Sequence, residues 1–213
     1  MSSCPNFIAN TFLHVLGAVG LTAAGTQFNI IPVEDPKINV VTLLGLIVLI
    51  FVQSFLQPSI FKYLIFGLFI LLLSQVIRPL EDELQQKGLL FEVLIMSLGI
   101  FIPMVILGFS DKLNTLGWTN YLFFSLVGLI VARILLYVLA LTGYYSDKDL
   151  TTTSKVLSTL AIGLFGLFTT WDVNVIRMKA KLCKGNPDYV DSSMGLFLDL
   201  LNLFSNLSDV ASN

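Results

Sequence analysis

Seven apolar stretches, separated by short polar segments, are the feature of this sequence that most restricts its fold. A helix that crosses a bilayer needs about 20 mostly apolar residues, and each stretch reaches or approaches that length. Prolines and turn residues lie between them. The stretches cover residues 7–27, 38–56, 59–78, 89–109, 119–143, 154–173 and 191–208. The pattern predicts an all-α integral membrane protein in which residues 1–213 form a single domain, a seven-transmembrane-helix bundle.

The amino-acid composition identifies the surroundings of this bundle as lipid. Charged residues make up 12% of the 213 residues and apolar residues 55%, whereas soluble domains average about 25% charged residues. A chain this poor in charge cannot supply a wetted surface, so we expect the lipid bilayer to be its main partner. The net charge of −2 lacks the basic footprint of proteins that bind nucleic acid, and we expect no nucleic-acid partner.

Polar and small residues recur along the last apolar stretch at helical spacing. They are separated by 3, 4, 3, 4 and 3 positions, which places them on one face of an α-helix. These residues are Ser192, Gly195, Asp199, Asn202, Asn206 and Asp209. A polar stripe inside a membrane must face protein or water. We therefore predict that the seventh helix is central and that the other six surround it.

A second acid, Asp172, lies near the end of the sixth predicted helix, with Thr169 on the same face and Asn174 shortly after it. If the sixth and seventh helices form a hairpin, Asp172 and Asp199 lie at similar depth, the latter about 12 Å into its helix. Acids inside a membrane are costly and are therefore functional candidates. The alternative for Asp172 is an ordinary position at the membrane interface.

Two segments, "WDVNVIR" and "DYVDSSMGLFLDLLNLFSNL", resemble the paired motifs of the transmembrane Bax inhibitor motif family. The stretch 89–143 is also similar to that family's fourth and fifth helices. The resemblance implies a seven-helix fold with a central last helix, and a Ca²⁺ leak gated by an aspartate pair that Asp172 and Asp199 match. For eukaryotic members it further implies restraint of apoptosis, with apoptosis-regulating membrane proteins as partners.

The sequence departs from the family pattern in two places. Trp171 stands where the family usually has tyrosine, and the second helix, "INVVTLLGLIVLIFVQSFL", has no arginine where some bacterial relatives place a cation that latches the pair. Arg133, in the fifth helix, is the other intramembrane charge. It is either a counter-ion or latch for Asp199 or Glu92, or a structural pair or headgroup-seeking side chain.

Two carboxylates held close in low-dielectric surroundings do not both ionise easily and can share a proton. The protonated pair would join the sixth and seventh helices, whereas the deprotonated pair would repel and admit a cation. Ca²⁺ takes about six to eight oxygen ligands, so Asp172 and Asp199 with Thr169, Asn202 and water are expected to bind it only in transit. The other supporting polar side chains are Asn174, Ser192 and Asn206. We expect Ca²⁺ and H⁺ as the transported and regulating ions, and no tightly bound cofactor.

Two other functions compete for the same residues. One is a non-conducting membrane scaffold, either an anti-apoptotic partner-binding protein or a virion membrane component. The other is an intramembrane aspartyl protease, which also has acids on its sixth and seventh helices, but whose second aspartate follows Gly-x-Gly, whereas Asp199 ends "GLFLD". We therefore expect no enzymatic activity and predict a pH-sensitive Ca²⁺ leak protein that modulates calcium homeostasis and restrains apoptosis.

Basic residues in short loops indicate orientation. Four of them cluster between positions 177 and 184, so we place that loop and the N-terminus in the cytosol. A multi-pass protein of this kind would lie in the endoplasmic reticulum or Golgi if it is eukaryotic or viral, and in the plasma membrane if it is bacterial. The two cysteines, Cys4 and Cys183, are expected to be free thiols.

Overall fold

The computed structural model describes residues 4, 6–28, 30, 36–111, 113–142 and 146–212, with the backbone alone at 36–40 and 147. Within these residues the chain forms seven α-helices and one short 3₁₀ helix, Leu116–Trp118. The α-helices are α1 (Phe7–Thr26), α2 (Pro36–Phe55), α3 (Ile60–Gln86), α4 (Leu90–Gly108), α5 (Thr119–Leu141), α6 (Asp147–Leu182) and α7 (Tyr189–Ser212). The prediction of an all-α chain is confirmed.

Five helical segments of the described residues are long and apolar enough to cross a membrane. They lie in α1, in α3, in α4, in α5 with the 3₁₀ turn before it, and in α6. The chain is therefore an integral, multi-pass membrane protein. The apolar segment of α2, Val41–Phe55, is shorter, and the acids and asparagines of α7 lower its hydropathy. The passage of these two helices through the membrane remains a prediction.

Two helices extend well beyond the apolar stretches that predicted them. α3 continues through Pro79 to Gln86 instead of ending at 78, and α6 runs from Asp147 to Leu182 instead of from 154 to 173. The additional turns are charged and include "EDELQQ" and "RMKAKL". Hydropathy detects only the part of a helix that suits lipid, so charged helical ends are missed. Residue 143, the predicted end of the fifth helix, lies outside the described residues.

The chain is organised as two compact units. The first contains Met1–Glu83 and Ile176–Phe197, and the second contains Leu84–Val175 and Leu198–Asn213. Because these boundaries fall inside helices, α3, α6 and α7 each contribute to both units. The predicted acid pair lies wholly in the second unit, whereas both cysteines lie in the first.

In the first unit, α1 and α3 approach closely at Gly25. A β-carbon at this position would overlap the side chain of Ser74, so only glycine fits without a shift. Gln75 Nε2 donates to the carbonyl oxygen of Gly25 at 2.9 Å, and the backbone N–H of Ile30 donates to Gln75 Oε1 at 3.0 Å. The buried Gln75 amide therefore connects α3 to the backbone at and beyond the end of α1.

In the second unit, α4 and α6 approach closely at Gly108. A β-carbon there would lie 2.6 Å from Val173 Cβ and 2.9 Å from the carbonyl oxygen of Thr170. The Thr170 hydroxyl also donates to the carbonyl oxygen of Met104 at 3.1 Å. In an apolar environment, small residues and hydroxyls of this kind let helix backbones pack closely. The contact fixes the turn of α6 that carries Asp172.

The two cysteines form a disulfide, so the prediction of free thiols is wrong. Cys4, before α1, is bonded to Cys183, which follows the end of α6. Next to this bridge, Asn186 Nδ2 donates to the carbonyl oxygen of Pro58 at 3.1 Å. Two cysteines are too few for a framework of several bridges, and for that reason free thiols were expected. A single bridge across 179 positions requires only that the fold bring two chain segments together.

We expect purified, air-oxidised protein to contain no alkylatable thiol and to gain two after reduction. The bridge closes a loop of most of the chain, so its reduction should lower the thermal unfolding temperature by several degrees. Mass spectrometry of iodoacetamide-treated protein, with and without dithiothreitol, measures the thiols, and unfolding in detergent measures the stability. Cys4→Ser should unfold at the temperature of the reduced parent. Two alkylated cysteines in the unreduced protein would contradict the bridge.

Candidate functional site

Asp172 on α6 and Asp199 on α7 lie side by side in the second unit. The side chain of Asp199 lies in contact with that of Asp172 and with Thr169, which lies one turn before Asp172 on α6 and whose hydroxyl donates to the carbonyl oxygen of Phe165 at 2.9 Å. Asp199 is 5% exposed and Thr169 is fully buried, while Asp172 is half-buried. The structure therefore brings together the two acids and the threonine that the sequence analysis grouped.

The contact between the two acids has a direct chemical consequence. Two carboxyl groups can hydrogen-bond to each other only if at least one carries a proton. Asp199 Oδ2 is buried and has no hydrogen-bond partner among the described residues, and a buried acceptor without a donor costs about 1–3 kcal/mol. The site therefore retains a buried oxygen that a proton donor, a water molecule or a cation would satisfy.

Other polar side chains hold α6 in place next to the pair. Asn174 Nδ2 donates to Thr115 Oγ1 at 3.2 Å and to the carbonyl oxygen of Thr170 at 3.1 Å. Trp171 Nε1 donates to Thr119 Oγ1 at 3.2 Å. The hydrogen bonds to Thr115 and Thr119 connect α6 to the residues around the 3₁₀ helix. Asn174 thus supports the position of α6, and its described contacts do not include the acids.

Arg133 on α5 is the centre of a second polar cluster, also in the second unit. Its Nη2 donates to Ser158 Oγ at 2.9 Å and to Asn206 Oδ1. Its Nη1 lies 3.6 Å from Asp209 Oδ2, and Ser158 donates to the same carboxylate oxygen at 3.0 Å. We call Arg133, Ser158, Asn206 and Asp209 the Arg133 cluster. It joins α5, α6 and α7.

The counter-ion of Arg133 is therefore Asp209, rather than Asp199 or Glu92. Asp209 lies ten positions after Asp199, which is about 15 Å along α7. Glu92 is exposed in the first turn of α4. Between the two clusters, Asn202 contacts its own helix, because its Nδ2 donates to the carbonyl oxygen of Leu198 at 2.8 Å.

The first unit holds a third polar cluster, which the sequence analysis missed. Lys62 Nζ lies 2.6 Å from Asp188 Oδ2, 2.7 Å from Asp191 Oδ1 and 3.0 Å from the carbonyl oxygen of Leu56, and the lysine side chain is 1% exposed. Asp188 Oδ1 also accepts the backbone N–H of Asp191 at 3.0 Å and so caps α7. Ser192 donates to the carbonyl oxygen of Asp188 at 2.8 Å, which places this predicted supporting residue in the first turn of α7.

A signal for this third cluster was present in the sequence. Asp188 and Asp191 are three positions apart at the start of the last helix, and Lys62 lies just inside the third apolar stretch. A lysine at the edge of an apolar helix is a candidate for a buried ion pair, because an unpaired ammonium there would be costly.

The acid pair offers few oxygen ligands for a metal ion. The described residues contain no group of three or more histidine, cysteine, aspartate or glutamate side chains that could hold a metal ion. Two carboxyl groups and the Thr169 hydroxyl offer fewer oxygens than the about six to eight that Ca²⁺ takes in a tight site. Water would have to supply the remaining ligands.

Replacement of Lys62 by alanine should destabilise the protein, because it leaves Asp188 and Asp191 without their buried counter-ion. Breaking a fully buried pair costs about 3–5 kcal/mol. Here the carboxylates are 26% and 38% exposed, and we expect about 2–3 kcal/mol. The control is Arg78→Ala, which removes the more exposed pair with Asp82 and should cost less than about 1 kcal/mol. Unfolding in detergent measures both, and equal losses would contradict the structural role of Lys62.

Comparison with protein families gives a match over nearly the whole chain. Residues 4–210 match the model of the family described as inhibitor of apoptosis-promoting Bax1. No curated protein matches the chain. The matched region contains the acid pair, the Arg133 cluster and the cluster of Lys62, Asp188 and Asp191. All three belong to the part of the chain that the family describes.

Proposed function

The chain belongs to the Bax inhibitor-like transmembrane family, and on that premise we propose that it is a pH-sensitive Ca²⁺ leak pathway. The single observation that carries the proposal is the contact between Asp172 and Asp199, with one buried carboxylate oxygen left over. Such a pair has a proton-bound form and an ionised form that differ in charge at one point in a largely apolar protein.

The proton-bound form is the closed state in this proposal. A proton shared by Asp172 and Asp199 makes a hydrogen bond between α6 and α7 and leaves the pair with one negative charge instead of two, which attracts a divalent cation less strongly. When that proton leaves, two negative carboxylates remain in contact, and their repulsion is strong because the surroundings screen charge poorly. A divalent cation then replaces the proton between them. Flux should therefore rise as the pH rises.

The polar face of α7 supports a route for the ion. From Asp199 the face continues through Asn202 and Asn206, whose side-chain amides both donate to backbone carbonyls one turn earlier. The side-chain carbonyl oxygen of Asn202 suits a cation in transit, whereas that of Asn206 accepts a hydrogen bond from Arg133. We propose that α7 is the central helix of a seven-helix bundle and that this face lines the pathway. The Ca²⁺ ion is cargo, and no resident cofactor or enzymatic step is required.

The biological role follows from the family description. A regulated Ca²⁺ leak would modulate the calcium content of a membrane compartment, and the family name points to restraint of apoptosis. We propose an endomembrane location, in the endoplasmic reticulum or Golgi, if the chain is eukaryotic or viral, and the plasma membrane if it is bacterial. Apoptosis-regulating membrane proteins are the partners that this role suggests. The basic residues between 177 and 184 favour a cytosolic N-terminus.

The test is Ca²⁺ flux into liposomes that contain the purified full-length chain and a Ca²⁺-sensitive dye. In the parent, flux should increase by up to about tenfold per pH unit through the transition, since one proton controls the site. Asp199→Asn keeps the size and much of the hydrogen bonding of the side chain but removes the shared proton, and it should flatten this pH dependence. Asp172→Asn should do the same, and the double variant should add little, because the two groups titrate as a pair.

The matched control is Asp82→Asn, which removes a 52% exposed carboxylate and should leave the pH response unchanged. An Asp199→Asn protein whose flux follows pH like the parent would refute the gate. A parent that passes no Ca²⁺ at any pH, while remaining helical and monodisperse, would refute the leak and favour a non-conducting scaffold.

A further inference from the structure

An open groove of about 350 Å³ lies between α5 and the first turns of α6, within the second unit. Its lining combines one cation, three hydroxyl-bearing side chains and apolar surface. The residues that matter here are Arg133, Tyr137 and Ala140 from α5, and Leu150, Thr151 and Ser154 from α6. We propose that this groove binds the phosphate headgroup of an anionic lipid and that Arg133 recognises the phosphate. The proposal is independent of Ca²⁺ conduction.

Arg133 keeps hydrogen-bonding capacity for such a ligand. A guanidinium has N–H donors on Nε, Nη1 and Nη2, and the hydrogen bonds that the structure describes for Arg133 use only Nη2. Nη1 lies 3.6 Å from Asp209 Oδ2, which is beyond hydrogen-bond length, and the arginine side chain is 38% exposed. The remaining donors require acceptors. Phosphate oxygens suit them well, because the planar fork of arginine binds phosphate in a bidentate manner.

The facing side of α6 supplies hydroxyl groups. Thr151, Ser154 and Ser158 are separated by three and four positions, so they lie on one face of the helix. Thr151 and Ser154 line the groove. Ser158, one turn further along α6, accepts a hydrogen bond from Arg133. A phosphate or glycerol oxygen that enters from the start of α6 would therefore pass hydroxyl groups before it reaches the guanidinium.

Arg133 is the one charged side chain among the described residues that line the groove, and its carboxylate partner is Asp209. At the start of α6, Asp147, Lys148 and Asp149 carry one net negative charge. An anion would therefore be held by the guanidinium itself and not by the net charge of the region.

The location of the groove favours a lipid over a soluble anion. Only 6% of the most apolar segment within Leu116–Leu141 is buried inside the protein. Tyr137 of α5 is 66% exposed. Arg133 lies eight positions before the end of α5, about 12 Å along the helix, and its long side chain can extend toward the headgroup region. Ala140 and Leu150 offer the apolar wall that an acyl chain requires.

The experiment measures lipid retention by the full-length chain in a non-ionic detergent. With equal amounts of phosphatidylglycerol and phosphatidylcholine, native mass spectrometry of the parent should show about fivefold greater retention of the anionic lipid. Arg133→Gln should abolish this preference, and Arg133→Lys should keep part of it. Because Arg133→Gln also removes an ion pair, Ala140→Phe is the second variant. It fills the groove from an exposed position, leaves the Arg133 cluster intact, and should also abolish the preference.

Two controls match these variants. Val131→Phe adds an aromatic ring at a position on α5 that is 48% exposed and outside the groove, and Arg78→Gln removes a cation elsewhere. Both should retain the parental preference. Equal retention of the two lipids by the parent, or a preference that survives both Arg133→Gln and Ala140→Phe, overturns the proposal. Displacement of phosphatidylglycerol by millimolar inorganic phosphate would assign the groove to a soluble anion and overturn the proposal of a lipid ligand.

Discussion

Polar side chains that a fold removes from water must satisfy one another, and this requirement organises the contacts of α7. Asp199 meets another acid, Asp172, whereas Asn206 and Asp209 meet the guanidinium of Arg133. The first contact joins two acids, so a proton or a metal ion changes it. The second already contains a cation beside its carboxylate, although the hydrogen bonds described for that guanidinium use only Nη2. One polar stripe therefore combines a changeable site with a fixed one.

The residues of the acid pair could be predicted from the sequence, but the partner of Arg133 could not. A spacing of three and four residues defines a helix face, and a hairpin of two helices brings Asp172 and Asp199 to similar depth. Because the sequence indicates only the depth of each residue along its helix, Asp199 was an expected partner of Arg133 as well. The choice between Asp199 and Asp209 depends on how each helix is rotated and tilted in its packing. That information lies in long-range contacts such as the one between Gly108 and Val173, which no single helix encodes.

The disulfide and the basic residues make opposite demands on orientation. Disulfides persist in oxidising compartments, whereas basic loops remain in the cytosol. Both rules act on one connection, because Cys183 lies among the basic residues between 177 and 184. Neighbouring cations favour the thiolate and speed its exchange with other thiols. In the cytosol this bridge would exchange with the cellular thiol pool, and on the opposite side it would persist. Its state in intact membranes therefore reports the orientation.

The polarity of α7 also explains why its role cannot be read from hydropathy. A helix that faces lipid on all sides must be apolar, and a helix with a carboxylate at its centre avoids lipid only if other helices cover that face. Acids and asparagines lie along the whole of α7. Asp199, near its middle, is only 5% exposed. Fully buried neighbours such as Phe197 and Leu203 show that apolar side chains of α7 pack against protein as well. The low hydropathy of α7 therefore agrees with a helix whose polar and apolar side chains are both covered by protein.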